Sequence, residues 1–385
     1  MSGSRNSNKL NEIFNQSKNE PVNPADIFPL DELPCDLLKQ TVNAKGELLL
    51  TSNISKYLTY NDIRSLNCVS KNLNSIFIDE RNTEKENIKT FLTHVVHGEK
   101  AEVEAMIKRD PRLLLEKCKV KDEAGRTIYG TAYQIALGAK DVSPYPDQFE
   151  EMAEMIERYL AEHFGEEERQ KQYAEQFPEG FEKQEEARRM SDSFELNKVF
   201  AAIKKDKTTG LAEANKAVAE FQNYLENQIK GVITTGYHFN EALFQEALKL
   251  YDEHYDDFGG FDSDKNRLAA IKLIGFIQRF FPANLAQAVC DGIERVVDEK
   301  KMLTRGKVLD DKKTPFFNPN LGVSHYVYTY GVAGLVGGCR GARVTVCCAG
   351  QLSKLMSSKN NNLIKRQTIV TKREEPKKQS SCVIQ

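Results

Sequence analysis

The chain has no tryptophan, 12 prolines and six histidines in 385 residues, and no apolar run of 18 or more. Lacking such a run, it is not expected to carry a bilayer-spanning helix. Its eight cysteines, at 35, 68, 118, 290, 339, 347, 348 and 382, include no C-x-x-C pair. That spacing argues against a zinc ribbon or a dithiol redox site. The opening stretch MSGSRNSNKLNEIFNQ has no apolar h-region, so a reducing, cytosol-facing compartment without a secretory signal is expected. Gly3 follows Ser2, whereas N-myristoylation requires the glycine directly after Met1. Excess charge is also missing, since 54 Lys and Arg against 56 Asp and Glu leave −2. No global field then recruits nucleic acid or a membrane, and any electrostatic partner has to be met locally.

What is present is a sequence of changes in texture. Residues 1–26 are rich in Ser, Asn and Lys, the composition of a disordered lead. Apolar residues at helical spacing begin at Ile27. Residues 86–119 read as a helical hairpin turning at Gly98, with Pro111 opening a further turn. A turn at Asp122–Gly125 precedes a helix around Tyr133–Leu137, and another helix runs over Phe149–Leu160. Helical periodicity continues over Phe194–Lys204, Ala212–Ile233, Asn240–Tyr251 and Lys265–Phe281, and 289–303 closes the series. In 316–356, glycines punctuate Val- and Tyr-rich stretches, and turns with short strands are expected there. A basic tail, 357–385, is expected to be disordered. The fold class is therefore mainly α, with an N-terminal helical module over 27–80, helical pairs over 86–160 and a helical interaction domain over 161–315.

The N-terminal module carries a specific pattern. Leu33-Pro34-x-Asp36-Leu37-Leu38 is followed by Ile54-x-x-Tyr57-Leu58 and then Asp62-Ile63-x-x-Leu66-x-x-Val69-Ser70-Lys71. This resembles an F-box, whose helices dock a Skp-type adaptor and link a chain to a cullin–RING ubiquitin ligase. The resemblance implies adaptor-binding roles for Leu33, Pro34, Leu37, Leu38, Ile54, Tyr57, Leu58, Ile63, Leu66 and Val69. It covers about 45 residues and departs from the family by about 13 extra residues near 41–53, an insertion that costs little closure entropy. A plain amphipathic helix pair is the other reading of the same spacing. In 86–160, DEAGRTIYGTAYQIALG is similar to the D-x-x-G-x-T opening of an ankyrin unit. Gly98 and Gly138 lie 40 apart, longer than the usual period of about 33, and a generic helical bundle fits as well.

The chain closes on Cys382-Val383-Ile384-Gln385, the C-a-a-X pattern of prenylation, with Gln favouring farnesyl. Between Ser353 and Gln385 stand eight Lys or Arg and two Glu, locally +6. One lipid chain binds membranes marginally and a polybasic patch supplies the usual second signal. Farnesyl on Cys382 is the only covalent group expected, with Lys365, Arg366, Lys372, Arg373, Lys377 and Lys378 as the membrane-facing charges.

Other patterns are weak. FDSDKNR opens like a calcium loop, but Arg267 and Leu273 stand where Gly and Glu are needed. His94 and His97 share a helical turn without a third ligand nearby in sequence, so no metal site is expected. GVAGLVGGCRGAR lacks the GK[ST] ending of a P-loop, and no nucleophile–base set is evident. The combination resembles the F-box effectors of intracellular bacteria, of Legionella type. That resemblance implies a secreted, non-catalytic ligase adaptor on the cytosolic face of host membranes. Its partners would be the host Skp-type adaptor and cullin ligase, the host farnesyltransferase and a host protein substrate, with no nucleic acid. A prenylated scaffold without ligase recruitment is the alternative, and an enzyme within 190–350 the third.

Overall fold

A computed structural model describes residues 78–191, 195–260, 263–304 and 344–373. The chain divides into two units, Met1–Glu86 and Asn87–Gln385, and nearly all described residues belong to the second. The stretch carrying the F-box-like pattern, residues 305–343, which include 316–343 of the Gly-rich segment, and the chain beyond 373 lie outside the described residues.

Helix α1, Ile78–Val96, ends where Gly98 takes a positive φ of 70°, and α2 follows at Lys100–Arg109. This is the expected hairpin, with Phe91, Leu92, Val103 and Ile107 buried. Asp110 caps a short 3-10 turn, Pro111–Leu115, by accepting from the Arg112 amide. A β-hairpin then stands where only a turn was expected. Strand β1, Cys118–Lys121, pairs antiparallel with β2, Thr127–Gly130, placing Lys119 opposite Tyr129. The turn itself lies as expected, with the Gly125 amide donating to the Asp122 carbonyl at 3.0 Å. Alternation buries Val120 and Ile128 on one face. Strands of four residues carry too few positions for period-2 alternation to show against helical neighbours.

Helix α3, Ala132–Gly138, opens on a capping box between Thr131 and Gln134. Helix α4, Met152–Gln176, is bent at Gly165, and α5, Phe181–Ser191, follows. Next come α6, Leu196–Lys205, and α7, Ala212–Gln228, which stops short of the expected Ile233. Val232–Ile233 instead forms β3, parallel to β2 at the edge of a three-stranded sheet. Helix α8, Glu241–His254, is capped by Asn240.

The next helical stretch changes winding along its length. It begins as α9, Asp264–Arg267, widens to a π-helix over Leu268–Gly275 and ends as α10, Phe276–Gln278. Helices α11, Ala283–Asp291, and α12, Ile293–Val297, precede the long α13, Val344–Arg373. One apolar core joins α6, α7, α8, the π segment, α11, α12 and α13 through Phe200, Phe221, Phe244, Leu273, Leu285, Ile293 and Leu352. Edge-to-face contact between Phe244 and Phe281, centroids 4.8 Å apart, locks its centre. The described residues are thus mainly helical with one small sheet. The expected disorder from 357 is corrected, because 357–373 is helix and Lys359, Asn362, Leu363 and Arg366 on it are buried.

Candidate functional site

Helix α13 turns one stripe inward. Leu352, Leu355, Met356, Lys359, Asn362, Leu363 and Arg366 are buried and recur at three- and four-residue steps, the spacing of one helical face. The stripe changes character along its length. Its first turns are apolar and join the core, whereas Lys359, Asn362 and Arg366 carry it into a polar seam.

At the centre of the seam is Glu154, in the first turn of α4. Its carboxylate accepts from the Ser143 amide at 3.0 Å, the Glu151 amide at 2.9 Å, Asn362 Nδ2 at 2.9 Å and Arg366 Nη2 at 3.0 Å. Arg366 also pairs with Glu157. One helical turn of α4 therefore presents both carboxylates to one guanidinium. Arg169, farther along α4, bonds Glu157 at 2.8 Å and Glu166 at 2.9 Å. The Tyr133 side chain is wholly buried beside these two arginines. Burial pushes its phenol upward, and the charges of Arg366 and Arg169 oppose that rise. Charges removed from water at this depth require partners of this kind, because an unpaired one costs several kcal/mol.

A second cluster surrounds Lys140, which adopts a left-handed φ of 50° just after α3. Its ammonium donates to Glu241 at 2.8 Å, Asn360 at 2.9 Å and Glu185 at 3.1 Å, using all three protons. The Tyr237 ring lies 4.3 Å from the same nitrogen and the Phe181 ring 5.7 Å. Burial, and then the negative charge of Glu185, hold the Tyr237 hydroxyl well above its ordinary range. The Lys140 carbonyl accepts from Asn284 Nδ2 at 2.9 Å and from Lys359 Nζ at 3.0 Å. Lys140 thus ties α5, α8, α11 and α13 to the end of α3.

A cavity of about 40 Å³ lies between α7 and α8, lined by Arg126, Tyr224, Gln228, His238, Asn240 and Phe280 among others. It has room for about three waters and is far below the size of a small-molecule site. Arg126 is held by Asp122, through Nε at 2.7 Å and the backbone amide at 2.9 Å.

The adaptor set Leu33, Pro34, Leu37, Leu38, Ile54, Tyr57, Leu58, Ile63, Leu66 and Val69 lies outside the described residues, as do Lys377, Lys378 and the lipidation residue Cys382. Of the basic residues read as membrane-facing, Lys365 is exposed on α13 and Lys372 and Arg373 end that helix. Arg366 is corrected: it points inward, because Glu154 and Glu157 lie beneath it. His94 bonds Glu99, and the described residues hold no group of three or more His, Cys, Asp or Glu able to bind a metal. Among them no helix is long and apolar enough to cross a membrane. Lys140, Glu154 and Glu157 carry no local motif. The signal available for them was the inward stripe of α13, whose apolar spacing runs straight into cations. No family model, curated protein or solved structure matches the chain.

Proposed function

We propose that this protein is a substrate adaptor that recruits a host cullin–RING ubiquitin ligase and sits on a host membrane. One observation carries the reading: the paired patterns Leu33-Pro34-x-Asp36-Leu37-Leu38 and Asp62-Ile63-x-x-Leu66-x-x-Val69-Ser70-Lys71. The spacing resembles that of an F-box, and the resemblance implies helices that dock a Skp-type adaptor. Ubiquitin chemistry would reside in the recruited ligase, and residues 86–350 would select the protein substrate. Farnesyl on Cys382 would add one hydrophobic anchor, with Lys365, Lys372, Arg373, Lys377 and Lys378 as the second, electrostatic signal.

The test is a pull-down of the full chain with a Skp-type adaptor, beside a Leu33→Ala/Pro34→Ala variant. Stoichiometric capture that the variant loses is expected. Failure to capture would overturn ligase recruitment and leave a prenylated scaffold. Cys382→Ser is expected to move the chain from the membrane to the soluble fraction of a eukaryotic cell. Unchanged fractionation would defeat the lipid anchor.

A further inference from the structure

Helix α13 contains Lys354, Lys359, Lys365, Arg366, Lys372 and Arg373 and no Asp or Glu. The whole chain is −2, so removing this +6 leaves −8 on the remainder. A purely cationic helix is therefore seated on an acidic body. Its two halves are held differently. Leu352, Leu355 and Met356 belong to the apolar core. Beyond them, the helix is held by Lys359, Asn360, Asn362, Arg366 and Gln367, with Leu363 the one apolar residue fully buried among the described side chains there.

The seam beneath is largely satisfied without α13. Glu154 keeps the Ser143 and Glu151 amides, Glu157 keeps Arg169, and Lys140 keeps Glu185 and Glu241. Releasing the second half of α13 takes Arg366 from Glu154 and the Leu363 carbonyl from the Tyr173 hydroxyl, a cost offset in part because Glu154 keeps two amide donors and Glu157 keeps Arg169. On the helix, the freed groups are Lys359 and Arg366, which then join exposed Lys365 beside Leu363 and Ile364. With Lys372 and Arg373 these make five cations and no acidic residue in 359–373, a cluster of the size that binds an anionic lipid surface electrostatically.

We propose that residues 359–373 are a concealed membrane-binding helix, held in cis by Glu154 and Glu157 and exchanged for an anionic lipid surface. This rests on the membrane reading above and adds to it a competition between body and bilayer. Apparent affinity for the bilayer is reduced by the small fraction of molecules in which this half-helix is released. Weakening the seam must then tighten membrane binding, the opposite of what damage to a membrane site does.

The experiment uses full-length, unlipidated protein and co-sedimentation with vesicles of phosphatidylcholine alone or with phosphatidylserine. Glu157→Gln keeps the shape of the side chain and removes one of the charges facing Arg366. It is expected to bind phosphatidylserine vesicles about five-fold more tightly than wild type, a shift of the order set by a partly screened ion pair. Lys365→Glu, exposed when the helix is docked, is expected to bind more weakly while melting like wild type. Wild-type binding that Glu157→Gln leaves unchanged would overturn the concealed helix and leave anchoring to residues beyond 373. No binding by either protein would overturn this inference alone, since the lipid anchor is decided separately by the Cys382→Ser fractionation. Equal tightening on phosphatidylcholine alone would mark general exposure of apolar surface and also overturn it.

Discussion

A methyl group added at Gly138 would fall 2.3 Å from His238 Nε2 and 2.8 Å from Gln176 Nε2. Both neighbours are buried side chains, and the His238 amide donates to the Gly138 carbonyl at 2.9 Å, so neither side has room to yield. Gly138→Ala is expected to destabilise the fold by about 1–3 kcal/mol, the range for overfilling a packed site. Gly231→Ala, with nothing within 4 Å of the new methyl, is expected to change stability by about 0.5 kcal/mol or less. Urea unfolding of both variants checks the contrast, and equal losses would defeat it. In the sequence, Gly138 read as the turn glycine of a repeat unit. Its actual constraint comes from His238, a hundred residues away, and no local pattern encodes that approach. Lys140 is similar, since its acceptors Glu185, Glu241 and Asn360 come from three helices.

At the scale of elements, local chemistry was readable where it lay within a few residues. Asn240 and Ser263 precede α8 and α9 as side-chain caps, and Gly98 sits at the turn that its freedom to take positive φ suits. The loop before α7 is organised by Asp206, which accepts from the Thr208 hydroxyl at 2.6 Å and amide at 2.8 Å and from the Ala214 amide at 3.0 Å. The Thr208 hydroxyl above all, and then the Ala214 and Thr208 amides, hold this carboxyl down at about 2. A carboxyl lowered on folding stabilises fully above its unfolded value near 4, and that stabilisation is lost as pH falls toward 2. The stability difference between wild type and Asp206→Ala is therefore expected to be constant above about pH 5. It should narrow as the pH falls below 4, followed by urea unfolding at stepped pH, and a difference that does not narrow would refute the assignment. What the local reading missed was the hairpin β1–β2 and the strand β3. Each is short, and the two-residue β3 exists through its pairing with β2. The end of α7 at Gln228 follows from that pairing, which helical periodicity cannot register.

At the largest scale, α13 closes the core that it shares with α6, α7, α8, the π segment, α11 and α12. A chain ending before Val344 would lose Leu352, Leu355, Met356 and Leu363, each fully or nearly fully buried. At roughly 1.5–3 kcal/mol apiece, that loss is comparable to the entire stability of a typical domain. Such a truncation is expected to lose its cooperative thermal transition and to bind a hydrophobic dye, while Lys365→Ala should melt like wild type. A truncated chain that still melted cooperatively would show that the core closes without α13. The sequence by itself determined the helical class and the approximate places of most helices, because periodicity acts over one or two turns. It also carries the F-box-like and C-a-a-X patterns, which are spacings along the chain. Only the tertiary structure decided that the basic segment from 357 to 373 is a docked helix, that Arg366 faces inward and that Lys140 joins four helices. Charge composition alone gives a cation a partner or water with equal ease. The choice depends on which carboxylates the fold brings beneath it, and here Glu154 and Glu157 arrive from some two hundred residues upstream.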